Sequence, residues 1–255
     1  MRAIVAVARN TFREAVRDRV LYLFLGFALI LLVSSKLFGM LTVGDESKVI
    51  KDLGLAGIQF FGMLISVMMS VMLISREVER RTVFIILAKP VRRWQFLLGK
   101  YLGLVATVTA NLLLMAIIFL AVLLIYTGRL EGRIVFAVSM ILLEMVLVAA
   151  FATLFAVLST PILGAVLTLA VFVVGHVSDD LWMLTSQLRS GWSEPLIAAV
   201  YYVLPNLERF DFKTEVVHGL AIPPAEVAWA VVYGLAYTVL VLLLACFQFG
   251  RKDLA

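Results

Sequence analysis

The chain has 255 residues, of which 63% are apolar and only 15% charged. Soluble domains run at about 45–50% apolar and about 25% charged, so a single water-soluble domain is excluded, and disorder with it. The net charge is +5 and Cys246 is the sole cysteine, which excludes an internal disulfide framework and a cysteine-rich metal site.

Residues 1–19 carry Arg2, Arg9, Arg13, Arg17 and Arg19 and no apolar run, so they do not read as a cleavable signal peptide. Ile4, Ala8, Thr11, Phe12, Ala15 and Val16 fall on one helical face, with Arg2, Arg9, Arg13 and Arg17 opposite. This pattern predicts an interfacial helix, with arginines toward lipid phosphates. Two readings stand: a topogenic anchor, or an elbow that packs beside the other helices.

A spanning helix needs roughly 20 mostly apolar residues. Six stretches qualify, at about 20–40, 53–75, 96–126, 134–158, 162–177 and 227–249. The fold class is therefore all-α and polytopic: a single transmembrane domain over 1–255, with spans one to five in 20–177 and span six at 227–249. Gly128 and Gly132 punctuate the third turn between spans, and Ser159-Thr160-Pro161 the fourth. Gly99-x-x-x-Gly103 permits close helix approach, although such spacings arise often by chance.

Residues 76–95 form the one sizeable loop on the basic side. Charge opens it (Arg76 to Arg81), an apolar run follows (Val83 to Leu87), and Pro90 stops it. The run is too short to span and too apolar to leave in water, so it needs a groove, a partner or the bilayer surface. Residues 178–226 form a long segment on the opposite side, broken by Pro195, Pro205, Pro223 and Pro224. They read as short interfacial or re-entrant helices, equally suited to a gate or a passive cap.

Residues 1–19, 76–100 and the tail 250–255 together carry a net +9, the opposite side −3, and Glu144 lies within a span. The positive-inside rule then places both termini in the cytoplasm. The basic excess thus describes topology, and nucleic acid is not an expected partner.

No phosphate-cradling G-x-x-x-x-G-K-[ST] occurs, nor G-x-S-x-G, H-E-x-x-H or paired cysteines. His176 with Asp179 and Asp180 imitates a metal cluster but makes an incomplete ligand set; a helix-end histidine is the simpler reading. Glu144 and Asn111 form the candidate intramembrane polar site, Glu144 being the one ionisable residue deep in a span. Glu144 could line a path for substrate or protons, or accept hydrogen bonds from another helix or subunit; as an isolated acid it makes a poor relay.

Ser75-Arg76-Glu77-Val78-Glu79-Arg80-Arg81-Thr82, followed by Leu87-Ala88-Lys89-Pro90-Val91-Arg92-Arg93 and Gly99-Lys100-Tyr101-Leu102-Gly103, resembles permease subunits of ABC exporters. The class is the type-2 permeases, or type V exporters, and the subgroup that of nitrous-oxide-reductase maturation permeases. Arg9-Asn10-Thr11-Phe12-Arg13-Glu14 is similar to the family's elbow. Gly175-His176 and Pro205-Asn206-Leu207-Glu208-Arg209-Phe210-Asp211 also resemble family patterns, so the likeness covers essentially the whole chain. It implies a homodimer of six-span subunits in a bacterial or archaeal inner membrane, working with two cytoplasmic ABC ATPase subunits. Glu77, Glu79, Arg80, Arg81, Thr82 and Phe84 would form the ATPase-coupling helix, and Lys89, Arg92 and Arg93 would anchor the loop at the headgroups. The chain itself would hold no cofactor and catalyse nothing; ATP and Mg would belong to the partner. Alternatives are an intramembrane enzyme using Glu144 or His176/Asp179/Asp180, and a secondary transporter.

Overall fold

A computed structural model describes residues 2–39, 45–79, 92–128, 131–179, 183, 201 and 203–251. Every regular element among them is helical. The order is α1 (Arg2–Val16), α2 (Arg19–Gly39), α3 (Glu46–Glu79), α4 (Arg93–Thr127), α5 (Gly132–Leu158), α6 (Pro161–His176), a 3-10 turn (Glu208–Phe210), α7 (Lys213–His218) and α8 (Pro224–Arg251).

Four helical stretches are long and apolar enough to cross a membrane: Glu46–Leu73, Arg93–Thr127, Gly132–Leu158 and Pro224–Arg251. Two shorter apolar stretches, Leu21–Ser35 and Pro161–His176, accompany them. Within these helices several hydroxyls turn back to their own backbone, whereas those of Ser66, Ser70 and Thr238 are buried without a partner among the described residues. Thr107 donates to the Gly103 carbonyl at 2.9 Å, Thr153 to Ala149 at 2.8 Å and Thr168 to Gly164 at 2.7 Å. In an apolar surrounding that return removes an otherwise costly unsatisfied donor.

The helix ends follow local chemistry. The Arg92 N–H donates to the Gln95 side chain at 3.2 Å, closing the start of α4. Gly128, at φ +67°, ends α4 with its N–H on the Leu124 carbonyl, a left-handed position that glycine takes without a Cβ penalty. Pro161 stands in the first turn of α6, where its missing N–H costs nothing.

The central helix is α5, which touches α3, α4, α6, α7 and α8. It presents buried residues all round, from Ile134 to Val157. By contrast α8 buries one stripe, Ala230, Gly234, Thr238, Val241, Ala245 and Phe249, at three- and four-residue spacing. Its other faces expose Trp229, Leu243 and Phe247, as expected of a helix against lipid.

The N-terminal helix lies against α4, and the glycine pair is the reason. A Cβ on Gly99 would stand 2.7 Å from Val7 Cβ, and one on Gly103 2.6 Å from the Ala8 carbonyl oxygen. The small-residue spacing thus seats α1, with Thr11 and Ala15 buried in the contact. The ion pair Glu14 Oε2–Lys100 Nζ, at 3.4 Å, adds a polar tie to a fully buried lysine. At the same end of the bundle, Arg93 donates to the Gly250 carbonyl at 3.3 Å, near the C-terminus of α8. Both ends of the described chain therefore sit at one end of the bundle, here called proximal. The turn joining α4 to α5 marks the distal end.

Candidate functional site

The apolar helix α6 is short: 16 residues, about 24 Å of rise. It ends at the level of the middle of α5, so space remains beyond it toward the distal end. Residues 205–218 fill that space. The Leu207 N–H donates to the Gly175 carbonyl at 2.9 Å, and a Cβ on Gly175 would meet Leu207 Cγ at 2.7 Å and the Pro205 oxygen at 2.8 Å. Leu207, Phe210, Phe212, Val216 and Val217 are buried there. Asn206 organises the approach: its side chain donates to Asp179 Oδ1 at 2.9 Å and accepts from the Glu208 N–H at 3.1 Å. Its backbone N–H donates to the Tyr233 hydroxyl of α8 at 2.9 Å.

At the meeting point of this strap with α3, α5 and α6 lies a five-residue polar cluster. Gln59 is its hub. Its Nε2 donates to Glu144 Oε2 at 2.8 Å and lies 3.0 Å from His176 Nε2; its Oε1 accepts from Lys213 Nζ. Lys213 Nζ pairs in turn with Asp211 Oδ2 at 3.0 Å. His176 Nδ1 stands 3.0 Å from the Phe172 carbonyl, and its Nε2 lies 3.3 Å from Glu144 Oε1. Glu144 is wholly buried. It is 12 positions into α5, roughly 18 Å from the distal end of that helix.

From the cluster, Asp211 leads to a cleft of about 440 Å³ that opens distally. Asp179, Glu208, Asp211, Glu215 and Glu226 line it beside Arg209 and Trp229. A second polar tie, Lys51 Nζ to Glu131 Oε1 at 2.6 Å, joins the start of α3 to the α4–α5 turn.

The expected site residues separate into three groups. Glu144 is in the cluster. Asn111 is buried in α4 with its Nδ2 on the Thr107 carbonyl of its own helix at 2.8 Å, and no hydrogen bond joins it to Glu144. His176 does sit at a helix end, and Asp179 pairs with Asn206. Among the described residues no three His, Cys, Asp or Glu side chains are placed to hold a metal ion, and Asp180 lies outside them. Of the coupling segment, Glu77 and Glu79 fall in the last turns of α3, whose side chains are not described. Arg80, Arg81, Thr82, Phe84 and Lys89 lie outside the described residues. Arg92 is exposed, and Arg93 ties α4 to α8.

Sequence reasoning missed Gln59, Lys213 and Asp211 as partners of Glu144. Gln59 lies in a predicted apolar stretch, where an uncharged amide carries no signal of its own. The signal available was the coincidence of three polar residues at similar depth: Gln59 in α3, Glu144 in α5 and His176 ending α6.

Compared with known proteins, the chain matches the family model described as ABC-2 family transporter protein over residues 5–254. No curated protein matches it closely enough to count as a relative.

Proposed function

Because the chain belongs to the ABC-2 transporter family, a family of membrane permease components, we propose that it is the membrane-spanning subunit of an ATP-driven exporter. The observation that carries this is the family match across 250 residues of a chain that has no phosphate-binding loop of its own. ATP and Mg are then handled by separate cytoplasmic ATPase subunits, two per complex, and two copies of this chain form the path between them.

In this reading α2 to α6 and α8 are six spans, with both termini in the cytoplasm of an inner membrane. Two features support it: the gathering of α1 and the end of α8 at the proximal end, and the concentration of arginine and lysine in the segments that join there. The helix α1 then serves as the elbow, and 178–226 lies on the outer side. The coupling helix runs from the end of α3 into the segment after it, with Glu77, Glu79, Arg80, Arg81, Thr82 and Phe84 against a groove on the ATPase. Its apolar run Val83 to Leu87 gains the partner it needs. Lys89 and Arg92 hold the loop near the headgroups. The resemblance on residues 75–103 supports reading the chain as similar to the nitrous-oxide-reductase maturation permeases within the family.

The test is co-purification from the source cell followed by reconstitution. A Walker-motif ATPase should accompany the chain. Exchanging the charges of Glu79 and Arg81 should abolish transport-linked stimulation of its ATP hydrolysis while the complex still folds. Unchanged coupling sinks the residue assignment; transport activity with no ATPase sinks the function.

A further inference from the structure

We propose that Glu144 and His176 together form a proton-binding site, and that its occupancy controls the hold of the distal strap 205–218 through Gln59 and Lys213. The proposal goes beyond the exporter reading and stands whether or not that reading holds.

The argument is one of donors and acceptors. Lys213 Nζ can only donate, so the Gln59 oxygen faces it and the Gln59 NH2 faces Glu144 and His176. The Phe172 carbonyl can only accept, so His176 Nδ1 carries a hydrogen. In neutral histidine Nε2 is then a bare acceptor. It faces Glu144 Oε1 at 3.3 Å, and that oxygen has no other hydrogen-bond partner among the described residues. A wholly buried carboxylate oxygen opposite an unprotonated ring nitrogen sets two lone pairs against each other. A single proton carried on Oε1 and donated to Nε2 removes the conflict.

The same nitrogen is also contested. Gln59 Nε2 reaches His176 Nε2 at 3.0 Å and can donate to it only while no shared proton occupies that lone pair. Proton binding therefore displaces one Gln59 contact, and loss of the proton restores it. Gln59 also holds Lys213 at the start of α7, so the displacement is felt by the strap.

The proton enters from the partly exposed side of the cluster, where His176 keeps 21% of its side-chain surface exposed. Lys213 and Asp211 keep about a fifth and a quarter of their side-chain surface exposed, at 20% and 26%. Asp211 lines the acidic cleft at the distal end, where carboxylates raise the local cation concentration. The charged groups acting on both Glu144 and His176 are Lys213 and Asp211. On α4 the Tyr101 hydroxyl donates to the Val146 carbonyl, and on α8 the Tyr233 hydroxyl accepts from Asn206.

Two readouts test the proposal on the full-length chain in nanodiscs, with its copurifying ATPase where one is present. Infrared difference spectra across a pH titration should show a carboxylic-acid C=O band that shifts in D2O and is lost in Glu144→Gln. A fluorophore on Thr214→Cys, in a Cys246→Ser background, should report a one-proton transition of the strap, lost in Glu144→Gln and in His176→Gln. Lys213→Met should keep the infrared band and lose the strap transition, which also serves if Glu144→Gln does not fold. A strap transition unchanged in His176→Gln, or no carboxylic-acid band that depends on Glu144 or His176, overturns the proposal.

Discussion

Gln59 of α3 and Glu144 of α5, 85 positions apart, meet in a buried 2.8 Å hydrogen bond. The bond turns what reads in sequence as a solitary intramembrane acid into the centre of a cluster that three helices and the strap share. Gln59 supplies donors to two partners and an acceptor to a third, so its removal orphans more than one group.

Gln59→Leu should therefore destabilise the fold more than an ordinary lost hydrogen bond, whose net value is about 1 kcal/mol. Glu144 and Lys213 would both lose a partner, for which about 2–4 kcal/mol is expected, buried charged groups being the costly end of the range. Thermal unfolding in detergent measures it. The double variant Gln59→Leu/Glu144→Leu should cost less than the sum of the two singles, because the second change removes the orphaned acid. Strict additivity would show that the two side chains do not depend on each other.

The apolar helices were legible because their signal is local. Twenty apolar residues in a row mean the same thing in any fold, and α2, α4, α5, α6 and α8 begin and end within a few residues of expectation. The two-faced helix α1 was legible in the same way, from its arginine spacing. Glu144 stood out because a carboxylate in a span is expensive. Its partners did not, since Gln59, His176, Lys213 and Asp211 come from segments whose depth depends on how far α6 rises and on how 205–218 folds back. Neither is a local property. The Gly99/Gly103 pair shows the same limit. Its spacing permits a close contact, but only the fold says that the partner is α1.

Gly175→Val should detach the strap. The added side chain would begin 2.7 Å from Leu207 Cγ and 2.8 Å from a backbone oxygen, and the oxygen cannot turn aside as a side chain can. Overpacking of this kind costs about 1–3 kcal/mol. Protease accessibility near Glu208 should rise, while the same change at Gly132, where a Cβ meets nothing within 4 Å, should leave it as in the parent. Equal protection in both variants would remove Gly175 from the seat of the strap.

Glu131→Gln should weaken the distal join of α3 to the α4–α5 turn. Lys51 is buried, whereas Glu131 keeps about a third of its side-chain surface, 34%, so solvent moderates the loss. About 1–2 kcal/mol is expected. The parent should lose part of this difference at molar salt, and a gap that ionic strength leaves untouched would mean the contact does not act through charge.

Gly103→Leu should displace α1 from α4. The backbone carbonyl of Ala8 stands 2.6 Å from where the new Cβ would lie, with Thr11 Cβ also at 2.6 Å, so the helix must move away bodily. Glu14 would leave Lys100, a fully buried lysine, and Thr11 and Ala15 would lose their cover. Spin labels on Asn10→Cys and on Leu102→Cys, both at exposed positions, should report a longer and broader distance in the variant. If α1 were only a surface anchor, as its arginine face alone allows, Gly103→Leu would leave that distance near the parent value. A shift accompanied by loss of ATPase stimulation would make α1 part of the moving assembly. A shift without that loss would confine it to packing, since α1 touches the bundle chiefly through α4.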